Sequence, residues 1–522
     1  MRRACKCKRR MFESEKGNKG GSAMPDYDAI VIGAGCGGVT AGSLLAAGGR
    51  SVLLLEQSGE IGGCCSTFER DGYRFDAGAT LLELIDPIER AFEMMGTTLA
   101  SELDLLTIDP VYNVVLDDGS SFGSPLSVEG AGEAISRLSA EDGKSWKRFS
   151  ALFDDFLDKA LEGFFLRPGG TMGDLMRIGM ENPGLMKFAP LFARSYRDVI
   201  EKFFKDRAVR QSMAYQAFYC GLPPGLAPGL FAMFPYSEHR GLFYPRGGMI
   251  EVPAALARCG RKAGMVVELN KRVEKLMIDG GRVRGVRLAD GTEITADVVV
   301  SDIHAKTLYL DMVGEENLPW LARSGIKSYP LSASAPVLHV GVDYTPPLSA
   351  HHTLLAVPME ALDDYWWNYH VKGLMPDSIS GLVCCPTLSD PSMAPEGHHS
   401  LDIILAGPYG LKDGDWDKEK HRLAERAIEH LSKTSIPGLK DHVQMLEFST
   451  PLDFERRLLI PEGAFLAFEM NILALAAFRP SARSRSIKGL YLTGSSTHPG
   501  GGVPTTVASG VIASRLIDRY EG

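Results

Sequence analysis

Gly33, Gly35, Gly38 and Glu56 are the residues whose types and spacing first point to chemistry. They belong to Gly33-Ala34-Gly35-Cys36-Gly37-Gly38, a G-x-G-x-x-G run, with an acid 23 positions after Gly33. The absence of a side chain allows a tight turn at Gly33 and close approach of backbone N–H groups to a pyrophosphate at Gly35. At Gly38 it allows a helix to pack closely on a strand. The phosphates then lie at the positive end of that helix. A carboxylate at Glu56 holds both hydroxyls of a ribose and repels a 2′-phosphate. This pattern predicts a dinucleotide site.

The flanking segments are those such a site needs. Tyr27–Ile32 is a short apolar run of the kind that forms a buried parallel strand. A small-residue helix is expected from about Val39 to Gly48, and Ser51–Leu55 is a second strand ending at Glu56. Five residues after Glu56 comes the pair Gly62-Gly63, and then Phe75-Asp76-Ala77-Gly78. Near the C-terminus the strand Ile487–Gly494 leads into Ser495-Ser496-Thr497-His498-Pro499-Gly500-Gly501-Gly502-Val503-Pro504, and then a helix reaching about Tyr520. Pro504 suits a first helical turn, and the free N–H groups there suit an anionic ring edge.

These strings together resemble the flavin-dependent amine oxidase and phytoene desaturase superfamily. The closing string resembles that of bacterial-type phytoene desaturases and their relatives, including carotenoid isomerases and retinol saturase-like proteins. Phe243-Tyr244-Pro245-Arg246-Gly247-Gly248 and Cys385-Pro386-Thr387-Leu388-Ser389-Asp390-Pro391 extend the likeness over about residues 26–520. The resemblance implies FAD, with Gly62 and Gly63 lining the flavin and the Val273 backbone touching the adenine. It implies that Gly494, Ser495, Gly502, Val503 and Pro504 lie at the flavin end. Ser495 stands where many flavoenzymes carry an acid for the ribityl chain, which agrees with the desaturase subgroup.

The fold class expected is α/β: a discontinuous Rossmann-like FAD-binding domain with a second, mixed-sheet and helical substrate domain. FAD-binding pieces are expected at 25–108, 241–304 and 486–522. A helical, membrane-associating substrate region is expected at 109–240 and the substrate-domain sheet at 305–485. Residues 1–23, rich in Arg and Lys, are expected to be a disordered tail or an over-extended start.

The implied activity is FAD-dependent oxidation of a long apolar polyene or isoprenoid, by phytoene or carotenoid desaturation or isomerisation. An amine-oxidase-like enzyme on a polar substrate and a non-catalytic prenyl-binding escort are the other readings this fold admits. No catalytic base stands out. His498 has the titration range for proton transfer, but a packing and hydrogen-bonding role is favoured, because a delocalised cation can yield its proton to any nearby base. The apolar residues between Phe149 and Phe204 fit either ordinary amphipathic core helices or a tunnel wall and lid dipping into one membrane leaflet. Tyr365, Trp366, Trp367 and Tyr369 could line a pocket, but such aromatic clusters are more often core, which is the reading favoured.

Composition narrows the classes. Acidic residues outnumber basic ones 65 to 56, a net charge of −9, which argues against nucleic acid as a partner. Nine cysteines without zinc or redox spacing read as reduced thiols in a cytoplasmic setting. The pairs His351-His352 and His398-His399 have no carboxylate or cysteine at metal-ligand spacing, so surface loops and no metal are expected. No apolar run reaches the roughly 18 residues that span a bilayer, so membrane contact, if made, is peripheral.

Overall fold

The protein is described by a computed structural model covering residues 24–375, 380–471 and 479–522. The basic stretch 1–23 lies outside the described residues. Tyr27–Ile32 is the centre of a parallel layer, flanked by Val52–Leu55 on one side and Glu293–Ser301 on the other. Val266–Glu268 adds beyond Val52–Leu55, and Leu490–Leu492 beyond Glu293–Ser301, both parallel. Three separated parts of the chain therefore build one sheet. Ile30, Val31, Leu53, Leu54, Val299 and Leu490 are all buried in it, as expected of strands covered on both faces.

Cys36–Ala47 and the C-terminal helix Val503–Glu521 pack against each other on this sheet. Their contact is close because both carry glycine: a Cβ at Gly510 would lie 2.6 Å from the Gly37 carbonyl oxygen. Val273–Asp279, Arg282–Leu288 and Glu293–Ser301 form an antiparallel meander, turned at Gly280-Gly281 and Asp290-Gly291. Positive φ at those three glycines is what hairpin turns of this hand require.

A second sheet runs in the order Val443–Ser449, Val337–Val342, His399–Leu405, Gly381–Cys384, His352–Leu355, Tyr112–Val115, Ser121–Ser124. It is antiparallel except where His352–Leu355 meets Tyr112–Val115. Trp416–Lys433 covers one face through Leu423, Ala427, Ile428 and Leu431.

A helical layer completes the molecule. Ser139 caps Ala140–Ala160 by accepting from the Asp142 N–H, while the buried Asp142 carboxylate accepts from the N–H groups of Lys205 and Asp206. That helix buries Trp146, Phe149, Phe153, Phe156 and Leu157 against Phe188, Tyr196 and Phe204. The aromatic stripe at 149–157 is thus core. Met172–Glu181 differs: Met172, Met176 and Met180 share one face at 53%, 62% and 75% exposure, with Met186 at 59% nearby. Among the described residues no helix is long and apolar enough to cross a membrane.

Candidate active site

Both sheets and the helical layer contribute to one cavity of about 490 Å³. Gly33, Gly35, Glu56, Gly62, Gly63, Val273, Gly494, Ser495, Gly502, Val503 and Pro504 all line it. Gly38 lies just behind, where a Cβ would meet the Gly33 carbonyl oxygen at 2.3 Å. The two glycine turns touch, since a Cβ at Gly37 would lie 2.6 Å from the Gly494 nitrogen. The N-termini of Cys36–Ala47 and Val503–Glu521 consequently open on the same space. One such end suits a pyrophosphate and the other an electron-rich ring edge.

The glycines serve different ends. Gly33 (φ +95°) and Gly62 (φ +123°) adopt backbone conformations that L side chains rarely take. Gly35 has an ordinary φ of −72°, and its need is space alone, because a Cβ would sit 2.3 Å from the Asp302 Oδ2. Glu56 is fixed at the strand end: its Oε2 accepts from the Ala34 N–H at 2.8 Å and its Oε1 from the Ser58 N–H at 2.8 Å. The Ser58 Oγ also donates to Oε1 at 3.0 Å, which leaves a lone pair on Oε2 for a ribose hydroxyl. The cavity residues thus fit FAD, whose adenosine end Glu56 and Val273 would hold and whose ring end Gly494–Pro504 would hold.

Two polar residues of this region escaped the sequence reading. Arg457, on the helix Pro451–Leu458, donates to the Ser66 Oγ at 3.0 Å and the Ala77 oxygen at 3.1 Å, clasping the segment after Gly62-Gly63. Asp302, at the end of Glu293–Ser301, accepts from the Thr493 Oγ1 at 2.9 Å. Burial raises the Asp302 carboxyl to about 7. Neither residue belongs to a recognisable motif; each arrives from another part of the chain.

Beyond the glycine turns the wall becomes apolar, with Tyr215, Phe218, Phe234, Tyr369, Leu382 and Ile404. Of the aromatic cluster at 365–369, Tyr369 faces the cavity, Trp366 is core and Trp367 is 49% exposed. Glu83 lies on this same wall. Its Oε2 accepts from the Ser237 Oγ at 2.6 Å, and the neighbouring Glu238 accepts from the Tyr219 hydroxyl at 3.1 Å. Among the described residues neither carboxyl forms an ion pair. Burial raises Glu83 to about 7, and burial followed by the charge of Glu83 holds Glu238 well above the usual carboxylate range. Glu83 and Glu238 are 155 residues apart in the chain, so no spacing announces them.

His498 does not line the cavity. It is buried, donates from Nε2 to the Phe164 carbonyl oxygen at 3.0 Å, and meets the Phe164 ring edge-on at 4.8 Å. Burial lowers its pKa to about 4, so it is neutral near pH 7. Its role is to pin the glycine turn to the helical layer. His498→Asn is expected to retain FAD and lose less than about 100-fold in turnover, the lower end for removing a general acid or base. Single-turnover flavin reduction with flavin content measured in parallel checks this.

The expectation of surface loops holds at His398, which lies in a loop, and needs correction at His351 and His352. His351 and His352 are buried, and His352 opens a central strand of the second sheet. His398 and His399 are partly buried, taking hydrogen bonds with Tyr73 and Thr387. The absent spacing misled because the partners lie across strands rather than along them.

Comparison with known proteins agrees with this geometry. The family model for flavin containing amine oxidoreductases matches residues 36–518. A phytoene desaturase of Fusarium fujikuroi is 30% identical over 529 aligned positions, covering 94% of this chain and 89% of that protein. A lycopene-forming phytoene desaturase of a Paracoccus species is 28% identical, covering 94% and 97%. Among solved structures, putrescine oxidase bound to putrescine superposes with a TM-score of 0.62 at 14% identity, covering 94% of this chain and 98% of that one. A Rab GDI from Plasmodium falciparum reaches 0.52 at 11%, covering 95% and 98%. These last two share the fold and no more. Matched by the family model over residues 36–518 and by a relative over 94% of its length, the chain belongs to the flavin-containing amine oxidoreductase family and is an FAD-dependent oxidoreductase.

Proposed function

We propose that the protein desaturates a long acyclic polyene of the phytoene type. The observation that carries this reading is a cavity joining the glycine turns to an aromatic and aliphatic wall that carries Glu83, a carboxyl with no ion-pair partner among the described residues. Bound FAD supplies a two-electron acceptor for hydride. The aromatic wall orients the chain and excludes water. Making a C=C bond from two adjacent carbons releases a hydride from one and a proton from the other. The Glu83 carboxylate takes that proton, and the electron pair of the broken C–H bond becomes the new π bond. The Ser237 hydroxyl, donating to its Oε2 at 2.6 Å, holds Glu83 in place.

Isomerisation of a polyene on the same cavity is the second outcome for this geometry. Expression in a host that accumulates phytoene, followed by pigment analysis, separates the two. Longer conjugation indicates desaturation, whereas an unchanged double-bond count with altered geometry indicates isomerisation. Unchanged phytoene, with turnover of amines instead, overturns the polyene reading.

A peripheral position on a membrane follows from the same substrate. Met172, Met176, Met180 and Met186 form an exposed, flexible, apolar face where a bilayer-dissolved substrate can be met. Replacing all four by Gln is expected to release the protein from neutral liposomes in sedimentation, while raised salt leaves the wild type bound. Wild type that stays in the supernatant rules this contact out.

A further inference from the structure

We infer that His351, His352 and Cys384 form a binding site for one zinc ion, away from the flavin. His352 and Cys384 are direct partners across the antiparallel pair His352–Leu355 and Gly381–Cys384, so their side chains leave the sheet on the same face. His351 joins them from the preceding residue, its ring centroid 4.5 Å from that of His352. All three residues are buried, and their candidate ligand atoms lie within 4.8 Å of one another.

The outer nitrogens of the two rings are already committed. His352 donates from Nε2 to the Thr80 carbonyl oxygen at 3.1 Å, and His351 Nδ1 meets the Ser389 Oγ at 2.9 Å. Metal-binding histidines are commonly oriented by such a bond on the far nitrogen. The inner nitrogens, His351 Nε2 and His352 Nδ1, are buried with no hydrogen-bond partner. Leaving a buried polar atom unpaired is costly, and two such atoms belong to this cluster.

Two nitrogens and one sulfur suit zinc, whose bonds of about 2.0–2.1 Å to N and 2.3 Å to S need the three atoms to draw together by roughly 1 Å. Binding converts the Cys384 thiol to thiolate, releasing one proton to solvent and forming the Zn–S bond. His351 also borders a second cavity of about 410 Å³, with Ser389 and Asp109 on its wall.

The test uses FAD-loaded protein, stripped with a chelator and titrated with Zn²⁺ alone. One equivalent per chain is expected in elemental analysis after gel filtration, with X-ray absorption reporting one sulfur and two nitrogens. Cys384→Ala, a small change in a packed site, is expected to weaken uptake by at least about 100-fold. Its melting temperature and flavin content, measured alongside, establish that it folds. Should Cys384→Ala fail to fold, His351→Ala takes its place and is expected to lose the same zinc. Wild type that retains no zinc, or retains as much as a folded Cys384→Ala or His351→Ala variant, overturns the proposal.

Discussion

Gly35→Val is expected to give a folded, colourless protein. The backbone at Gly35 has an ordinary φ, so valine introduces no strain there. Its Cβ meets the carboxylate end of Asp302 rather than backbone, and that side chain must give up its bond to the Thr493 hydroxyl to move, so the fold survives with some loss of stability. The two methyl groups then occupy the space where a pyrophosphate must approach the first helix. Losing two charge-assisted N–H bonds at about 1.5–3 kcal/mol each lowers FAD affinity by more than about 100-fold. Gly37→Val makes a useful contrast, because its Cβ would strike the Gly494 backbone nitrogen and part the two turns, so unfolding is expected as well. Flavin absorption and circular dichroism of the two variants check both statements. A yellow Gly35→Val protein would place the phosphates elsewhere.

Much of the flavin side was legible because its residues lie in contiguous strings. Tyr27 to Glu56 is one strand-turn-helix-strand unit, and Leu490 to Glu521 is a strand-turn-helix unit. The local rules for glycine turns and helix starts apply within each. The meander was legible for the same reason, since Gly280-Gly281 and Asp290-Gly291 mark its turns. The catalytic side was not. Glu83 and Glu238, Arg457 and Ser66, His352 and Cys384 meet only after three separate chain segments have closed around two sheets. Periodicity failed in another way at 149–204. It registers apolar faces but does not say which face finds a partner, so Phe153 and Met176 looked alike although one is core and the other exposed.

Glu83→Gln is expected to lower polyene turnover by about 10²–10⁴-fold while FAD binding is unchanged. Glutamine keeps the size and can still bond to the Ser237 hydroxyl, but it cannot accept a proton. The wild type should gain activity as pH rises toward and past about 7, where the Glu83 carboxyl ionises, and the variant should lose that rising limb. Stability gives a second, independent readout. Folding raises this carboxyl from 4.5 to about 7, so between those values the folded protein keeps a proton that the unfolded chain has released. Stability therefore falls as pH climbs through that window and levels off above it, at a cost on the order of 3 kcal/mol. Glu83→Gln removes that cost, so its melting temperature should exceed the wild type's at pH 8 and match it near pH 4. A carboxyl kept only for packing would show the stability gain without the loss of turnover. If the variant melts higher at pH 8 and still turns over within tenfold of the wild type, Glu83 is not the proton acceptor.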